Sequence, residues 1–431
     1  MEPLRAELAH LHRRAGFGAL PETLDADLNA GYEAAVDRLL GPPATDAGAA
    51  ATPAPKFVNV PRPQRSDGME ARRKYRKARK EQTAQLIGWW VDRMVRVEHP
   101  FSEKLTLLWH NHWATSVQKS GPPGLMLDQL ATLRSLGTAD FRDLARAMVR
   151  DPALLIWLDG PQNRKGKPNE NLARELMELF TLGVGHFTES DVREASRALT
   201  GWFVDPVTGS SRLVRQRHDA GSKTVLGKTA GFDDRSLVDH LVDQPSSARF
   251  VVSRLWYRLA APANPPTEVM ARLLSAYGSS RDLGALIRAI LIEPTFRSVD
   301  VRHALVKQPV EYVVGTLRAL RLPSGPVALT ALRSLGQVPL RPPSVGGWPS
   351  GTAWLTTSSA QARLEFAQWA VKTADLSALS AQPPAARIDG VARLLSVESW
   401  TPRTRTALAA ASVDPARLVS LALISPEYVV N

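Results

Sequence analysis

Apolar residues recur along most of this chain at three- and four-residue intervals, the spacing that gathers them on one face of a helix. The pattern predicts helices over 4–14, 21–28 and 32–40. A long helix follows, starting in the basic run from Ala71 and continuing through EQTAQLIGWWVDRMVRVEH. His99-Pro100 breaks the pattern, which resumes over Phe101 to Thr115 with Ser102 as N-cap and Glu103 in the first turn. Further helices are predicted over 125–136, 141–149, 169–182, 189–200, 235–243, 246–259, 267–277, 283–292, 309–320, 327–335, 360–373, 385–395 and 415–423. Strand signals are few: Trp202 to Val207 and Leu213 to Gln216 flank Thr208-Gly209-Ser210 and can form one hairpin.

The expected fold is therefore all-α, a large multi-helix bundle with long irregular loops and at most one small β-hairpin. Residues 1–40 read as N-terminal helices packing on the core, 41–67 as a Pro/Ala-rich surface linker, and 68–431 as the main helical domain with one continuous core. The irregular stretches 202–234 and 337–357 are long for a compact protein, and such stretches often carry function.

Composition narrows the class. A chain of 431 residues with 44% hydrophobic and 22% charged residues has the balance of an ordinary globular protein. No window approaches the roughly 20 apolar residues of a spanning helix. The start, MEPLRAELAHLHRRAGFG, has no apolar segment after a basic one, so the chain as written reads as cytoplasmic. With no cysteine there is no disulfide, thiolate metal site or cysteine nucleophile, and a metal would draw on His, Asp, Glu or backbone oxygen.

The net charge of +12 favours anionic partners. Its densest block, ARRKYRKARK from Ala71 to Lys80, holds seven cations and no acid. It reads either as a solvated helix face or as a patch facing an anionic polymer or protein. Tyr75 is its one aromatic, which gives stacking on single-stranded nucleic acid little support.

Four polar constellations stand out. In EKLTLLWHNHW, Glu103 and His110 are seven apart and share a helix face, whereas His110 and His112 lie about 200° apart around the axis. Either Glu103–His110 is a functional dyad, or His110 is a core-edge histidine bonded to a carboxylate. In NENLARELMELF, Glu170, Arg174 and Glu178 fall at i, i+4, i+8 beside Asn169, Asn171 and Glu175. Those carboxylates read as acid and base, as ligands for a divalent metal ion, or as an ordinary salt-bridge ladder. Thr188 and Asp191 spell a capping box. Finally, His218-Asp219 and Lys223 sit in a glycine-containing loop, a common but unspecific site fragment. GxGxxG, HExxH and GxSxG are absent, and GSKTVLGKT has one residue too many for a phosphate loop.

Several segments, taken together and in order, resemble the bacterial family catalogued as domain of unknown function 1800. They are AHLHRRAGFGALP, EKLTLLWHNHWATS, RDPALLIWLDG, NRKGKPNENLARELMELFTLGVGHFTESDVREASRALTGW, RHDAGSKTVLG and LGQVPLRPPSVGGWPSG. The resemblance implies export for many members and a sulfatase-like partner protein, hence work on extracellular polymers; this chain departs from it in lacking a visible signal peptide. Carried over, the hallmark polar residues are Glu103, His110, His112, Asn169, Glu170, Asn171, Arg174, Glu175, Glu178, His218 and Asp219.

These readings lead to two expectations. One is a hydrolase or lyase acting on a polar substrate such as a glycan. Its catalytic residues would be Glu170, Glu175, His110 and His218, with Arg174, Asn169, Asn171, Asp219 and Lys223 binding substrate and His110, His112 and Glu178 holding a metal. The other is a non-catalytic binding protein whose basic face takes an anionic polymer or a protein partner.

Overall fold

A helix whose polar and apolar residues are both interior must sit between two packed layers, and Phe101–His112 is such a helix: every residue in it except Ser102 is buried. Leu105, Leu108 and Trp109 enter one apolar core with Leu11, Phe141, Leu176, Leu241 and Leu286. Leu107 enters a second core with Trp90, Met126, Val313, Phe366 and Leu418. Each large apolar side chain so buried contributes about 1.5–3 kcal/mol. In this computed structural model residues 3–41, 45–58, 60–61, 63–64, 66–206 and 208–430 are described. They form a predominantly α-helical molecule, as the hydrophobic spacing predicts. Among them, no helix is long and apolar enough to cross a membrane.

The long helix is Met69–Arg96, buried at Leu86, Ile87, Trp90, Val91 and Met94, while its basic first half is largely exposed. Its last carbonyls have no partner within the helix. Arg318 takes up those of Met94, Val95 and Val97 at 3.1, 2.8 and 2.7 Å. The first helix, Pro3–Ala15, buries two arginines: Arg13 donates to Ser396 O and Glu398, and Arg14 to Val301 O. These bonds clamp the start of the chain to segments about 290 to 390 residues away.

Several local expectations change. The central helix starts at Phe101 with Pro100 as N-cap, so Ser102 lies inside the first turn instead of capping it. The 41–67 stretch contains a one-turn helix, Ala47–Ala50, capped by Asp46; Pro42, Pro43, Ala44, Asn59, Arg62 and Arg65 fall outside the described residues. Among the described residues there are two hairpins where at most one was expected. Trp202–Val204, starting where predicted, pairs with Ser211–Leu213, which starts two residues earlier than predicted, and Val207 lies outside the described residues. The second pairs Lys223–Val225 with Lys228–Ala230. Its turn residues Leu226 and Gly227 both have positive φ, 48° and 78°, the signature of a tight hairpin turn. GSKTVLGKT is thus a hairpin, not a phosphate cradle. The Thr188–Asp191 capping box is present as read.

Candidate functional site

The NENLARELMELF segment opens as an α-helix, Asn171–Glu175, and widens into a π-helix, Leu176–Thr181. The Leu182 amide reaches back to Met177 O at 2.9 Å, and the Thr181 hydroxyl takes Leu176 O at 2.6 Å. Such widenings leave carbonyls without a helical partner and often mark functional places. Here His112 supplies one missing donor: its Nε2–H donates to Phe180 O at 3.0 Å. The His112 ring packs edge-on against Trp109, Trp113 and Phe141, and burial pushes its pKa down to about 3. His112 is a neutral imidazole holding the helix widening in place.

His110 points the other way, as the helical angle requires. Its ring sits between Trp90 and Trp348, and burial lowers its pKa to about 3. Glu103 does not meet it. That carboxylate accepts from Arg93 at 2.6 Å, from Arg134 at 2.8 and 2.9 Å, and from Trp90 Nε1 at 3.0 Å. Asn111, between the histidines, accepts the Trp348 amide at 2.8 Å and docks the 337–357 stretch onto the central helix. His110, His112 and Glu178, read from the sequence as a metal set, are not brought together among the described residues. The two histidines diverge into different aromatic nests, and no group of three His, Asp or Glu side chains among the described residues converges on a common point.

Of the carboxylates in this segment, Glu170 joins an ion pair with Arg174, while Glu175 and Glu178 form none among the described residues. Arg174 binds Glu189 at 2.7 and 2.8 Å and Glu170 at 3.1 Å, all on a partly exposed face. Glu175 is half-buried, and burial, then the charge of Glu178, raises its pKa.

The loop residues are tied to the frame. His218 Nδ1 lies 2.9 Å from Thr200 O. A carbonyl only accepts, so Nδ1 carries the proton and Nε2 keeps its lone pair. Asp219 accepts from Arg197 at 2.8 Å and from the Gly221 amide at 2.9 Å; the Arg197 hydrogen bond leads in holding its pKa near 2. Lys223 is buried and donates to three carbonyls, of Asp219, Gly221 and Phe232, so its ammonium is fully engaged. Gly201, at φ 97°, lies so close that a Cβ there would fall 2.9 Å from the His218 amide nitrogen.

The same frame builds a groove that the sequence reading did not assemble. Asn163 is buried; its side chain donates to Ser196 O at 2.8 Å and accepts the Asn169 amide at 2.9 Å. The Lys165 amide donates to Arg217 O at 2.7 Å, joining this loop to the 215–217 turn. Between the two segments lies a cleft of about 310 Å³, lined by Gln162, Arg164, Lys167, Asn169 and Arg217 with Pro161 and Pro168. Its lining contains no carboxylate, and its three cations are exposed, with no ion pair among the described residues. Pro161 also lines a neighbouring cleft of about 480 Å³, whose walls include Tyr75, Arg76, Arg79 and Lys119. The larger cleft also holds Asp205, and its Lys119 pairs with Asp159; the basic start of the long helix and the basic loop thus line neighbouring clefts that share Pro161. Of the residues named from sequence, only Asn169 lines the smaller cleft. The usable signal was the acid-free run Asn163-Arg164-Lys165-Gly166-Lys167 followed by Pro168.

Fold and site together define a helical protein that presents a cationic groove at the loop leading into a widened helix. Residues 10–430 match the family described as protein of unknown function, DUF1800, and the chain belongs to that family. No curated protein and no solved structure matches it.

Proposed function

We propose that this protein binds an anionic glycan in the double cleft that runs past Pro161. What carries the reading is the lining of the smaller cleft: three cations without an ion pair among the described residues, and two side-chain amides, with no carboxylate. Guanidinium groups pair with sulfate or carboxylate in a forked geometry, and the amides of Gln162 and Asn169 suit sugar hydroxyls. Tyr75 is the one aromatic in either lining, so stacked bases find little support and a glycan is favoured over single-stranded nucleic acid. The test is binding of heparin, polygalacturonate and single-stranded DNA to wild type and to Arg164→Gln/Lys167→Gln/Arg217→Gln. Glycan binding lost in the variant supports the reading; DNA bound more tightly than either glycan contradicts it.

A second reading makes the groove the substrate-holding part of a lyase or hydrolase. The observation favouring it is the His218 tautomer: in the neutral ring Nδ1–H is committed to Thr200 O and Nε2 keeps its lone pair, on the residue that follows the groove's Arg217 in the chain. In a uronate lyase, such a base removes the C5 proton beside the carboxylate that the cations hold, the C4–O glycosidic bond breaks as the C4=C5 double bond forms, and the departing sugar oxygen takes up a proton. His218→Ala would then retain polygalacturonate binding and lose formation of the unsaturated, ultraviolet-absorbing product. No such product from the wild-type protein would leave binding alone as the function.

A further inference from the structure

A second cavity, of about 610 Å³, is bounded by the first helix, by helix Tyr32–Leu40, by the end of the long helix and by the segment after helix Pro309–Ala319. This is the size of a small-molecule site, with the mixed lining such sites have. Its walls are apolar at Leu20, Leu39, Phe101, Leu317 and Leu322. Into this lining open His12, Arg38 and Arg318.

His12 Nε2 lies 2.6 Å from Oδ2 of Asp27, a fully buried carboxylate that also pairs with Arg38. The carboxylate accepts, so Nε2 carries the proton and Nδ1 is left as a bare acceptor. Among the described residues nothing donates to it. Burial, with Arg38 and Arg318 nearby, pushes the His12 pKa down to about 4, so the ring is neutral at neutral pH. Arg318 is half-buried and its hydrogen bonds go to backbone carbonyls; it forms no ion pair among the described residues. Asp46, the acid whose field reaches it, is occupied by the amides of Ala49, Glu98 and His99. Glu98, the carboxylate in the lining, is exposed. A guanidinium without a salt partner, a bare imidazole nitrogen and apolar walls together call for one molecule with an anionic head, a hydroxyl and an apolar body.

We infer that this cavity binds a hydroxyacyl carboxylate, its head on Arg318, its hydroxyl donating to His12 Nδ1 and its chain along Leu39, Phe101 and Leu322. The site is separate from the groove and needs nothing from the glycan reading. The experiment is calorimetric titration of the full chain with β-hydroxydecanoate, decanoate and decanol. β-Hydroxydecanoate is expected to bind at one site, about tenfold more tightly than decanoate, a step of the size of one ordinary neutral hydrogen bond, and more tightly still than decanol, which lacks the carboxylate for Arg318. His12→Ala is expected to erase the preference over decanoate. Arg318→Met is expected to erase the preference over decanol, but it also uncaps the long helix. Thr23→Trp therefore serves as the independent variant: Thr23 lines the cavity and is neither of the two polar groups, so a tryptophan there takes up cavity space and should abolish binding. Absent binding of β-hydroxydecanoate, equal binding of decanol, or binding that survives Thr23→Trp would each overturn the inference.

Discussion

Replacing Glu103 by Gln removes one buried negative charge while keeping the side chain's size. The carboxylate is 1% exposed and accepts four hydrogen bonds, three from the guanidiniums of Arg93 and Arg134 and one from Trp90. Removing one partner of a buried ion pair costs about 3–5 kcal/mol, because the remaining charge is left desolvated. Here Arg93 and Arg134 are 18% and 20% exposed and recover some hydration, which places the expected loss near the lower end, about 3 kcal/mol. The assay is urea unfolding followed by circular dichroism, with the midpoint falling at unchanged slope. Adding Arg134→Met should cost less on the Gln background than on the wild type, since the partner is already gone. The wild type also carries a pH signature. Burial alone would raise the Glu103 pKa, but Arg134 and then Arg93 outweigh it and lower it. Its contribution is therefore complete above the unfolded value of about 4.3 and fades as pH falls through the lower folded value. A loss under about 1 kcal/mol, or additive effects of the two substitutions, would refute the assignment of Glu103 as the buried anchor of the central helix.

Two further outcomes follow from the same packing. At Gly347, φ is 84° and a Cβ would stand 2.2 Å from Asn111 Oδ1, so Gly347→Ala should cost about 2–5 kcal/mol. Gly346→Ala, whose nearest neighbour would be Ser344 Oγ at 3.5 Å, should melt close to wild type; equal melting of both variants would show that the 337–357 stretch is not docked as described. Asp219, held near 2 chiefly by Arg197, stabilises the folded loop fully above about pH 4 and loses that effect as pH falls toward 2. The melting difference between wild type and Asp219→Asn should shrink over that interval, and a constant difference would contradict the pairing.

The fold class was legible because helical periodicity survives wherever one face of an element is buried and the other is wet. It failed where that contrast is weak. Helix Pro402–Ala411 buries only Leu408 and Ala411, so its Thr, Arg and Ala residues print no stripe. The hairpin around Leu226-Gly227 was hidden because a leucine there adopts a conformation that sequence rules reserve for Gly, Asn or Asp. The histidines misled for a related reason. A helix buried all round makes every polar residue look purposeful, yet His112 serves a carbonyl freed by a helix widening that no periodicity announces. The groove was only half legible: the cations Arg164, Lys167 and Arg217 are plain in the sequence, but their meeting depends on the Asn163 side chain and the Lys165–Arg217 backbone bond.

The most direct test of the groove is the salt dependence of heparin binding, measured on three proteins. They are wild type, the Arg164→Gln/Lys167→Gln/Arg217→Gln variant, and a control with the same charge removed elsewhere, at the exposed Arg333, Lys372 and Arg403. Each cation that pairs with a sulfate adds a little under one unit to the slope of log K against log salt, so the groove variant, with three cations removed, should be shallower by about 2.5. The control should keep the wild-type slope and affinity. Equal reductions in both variants would mean that heparin reads only the protein's overall positive charge, and the groove would not be its site.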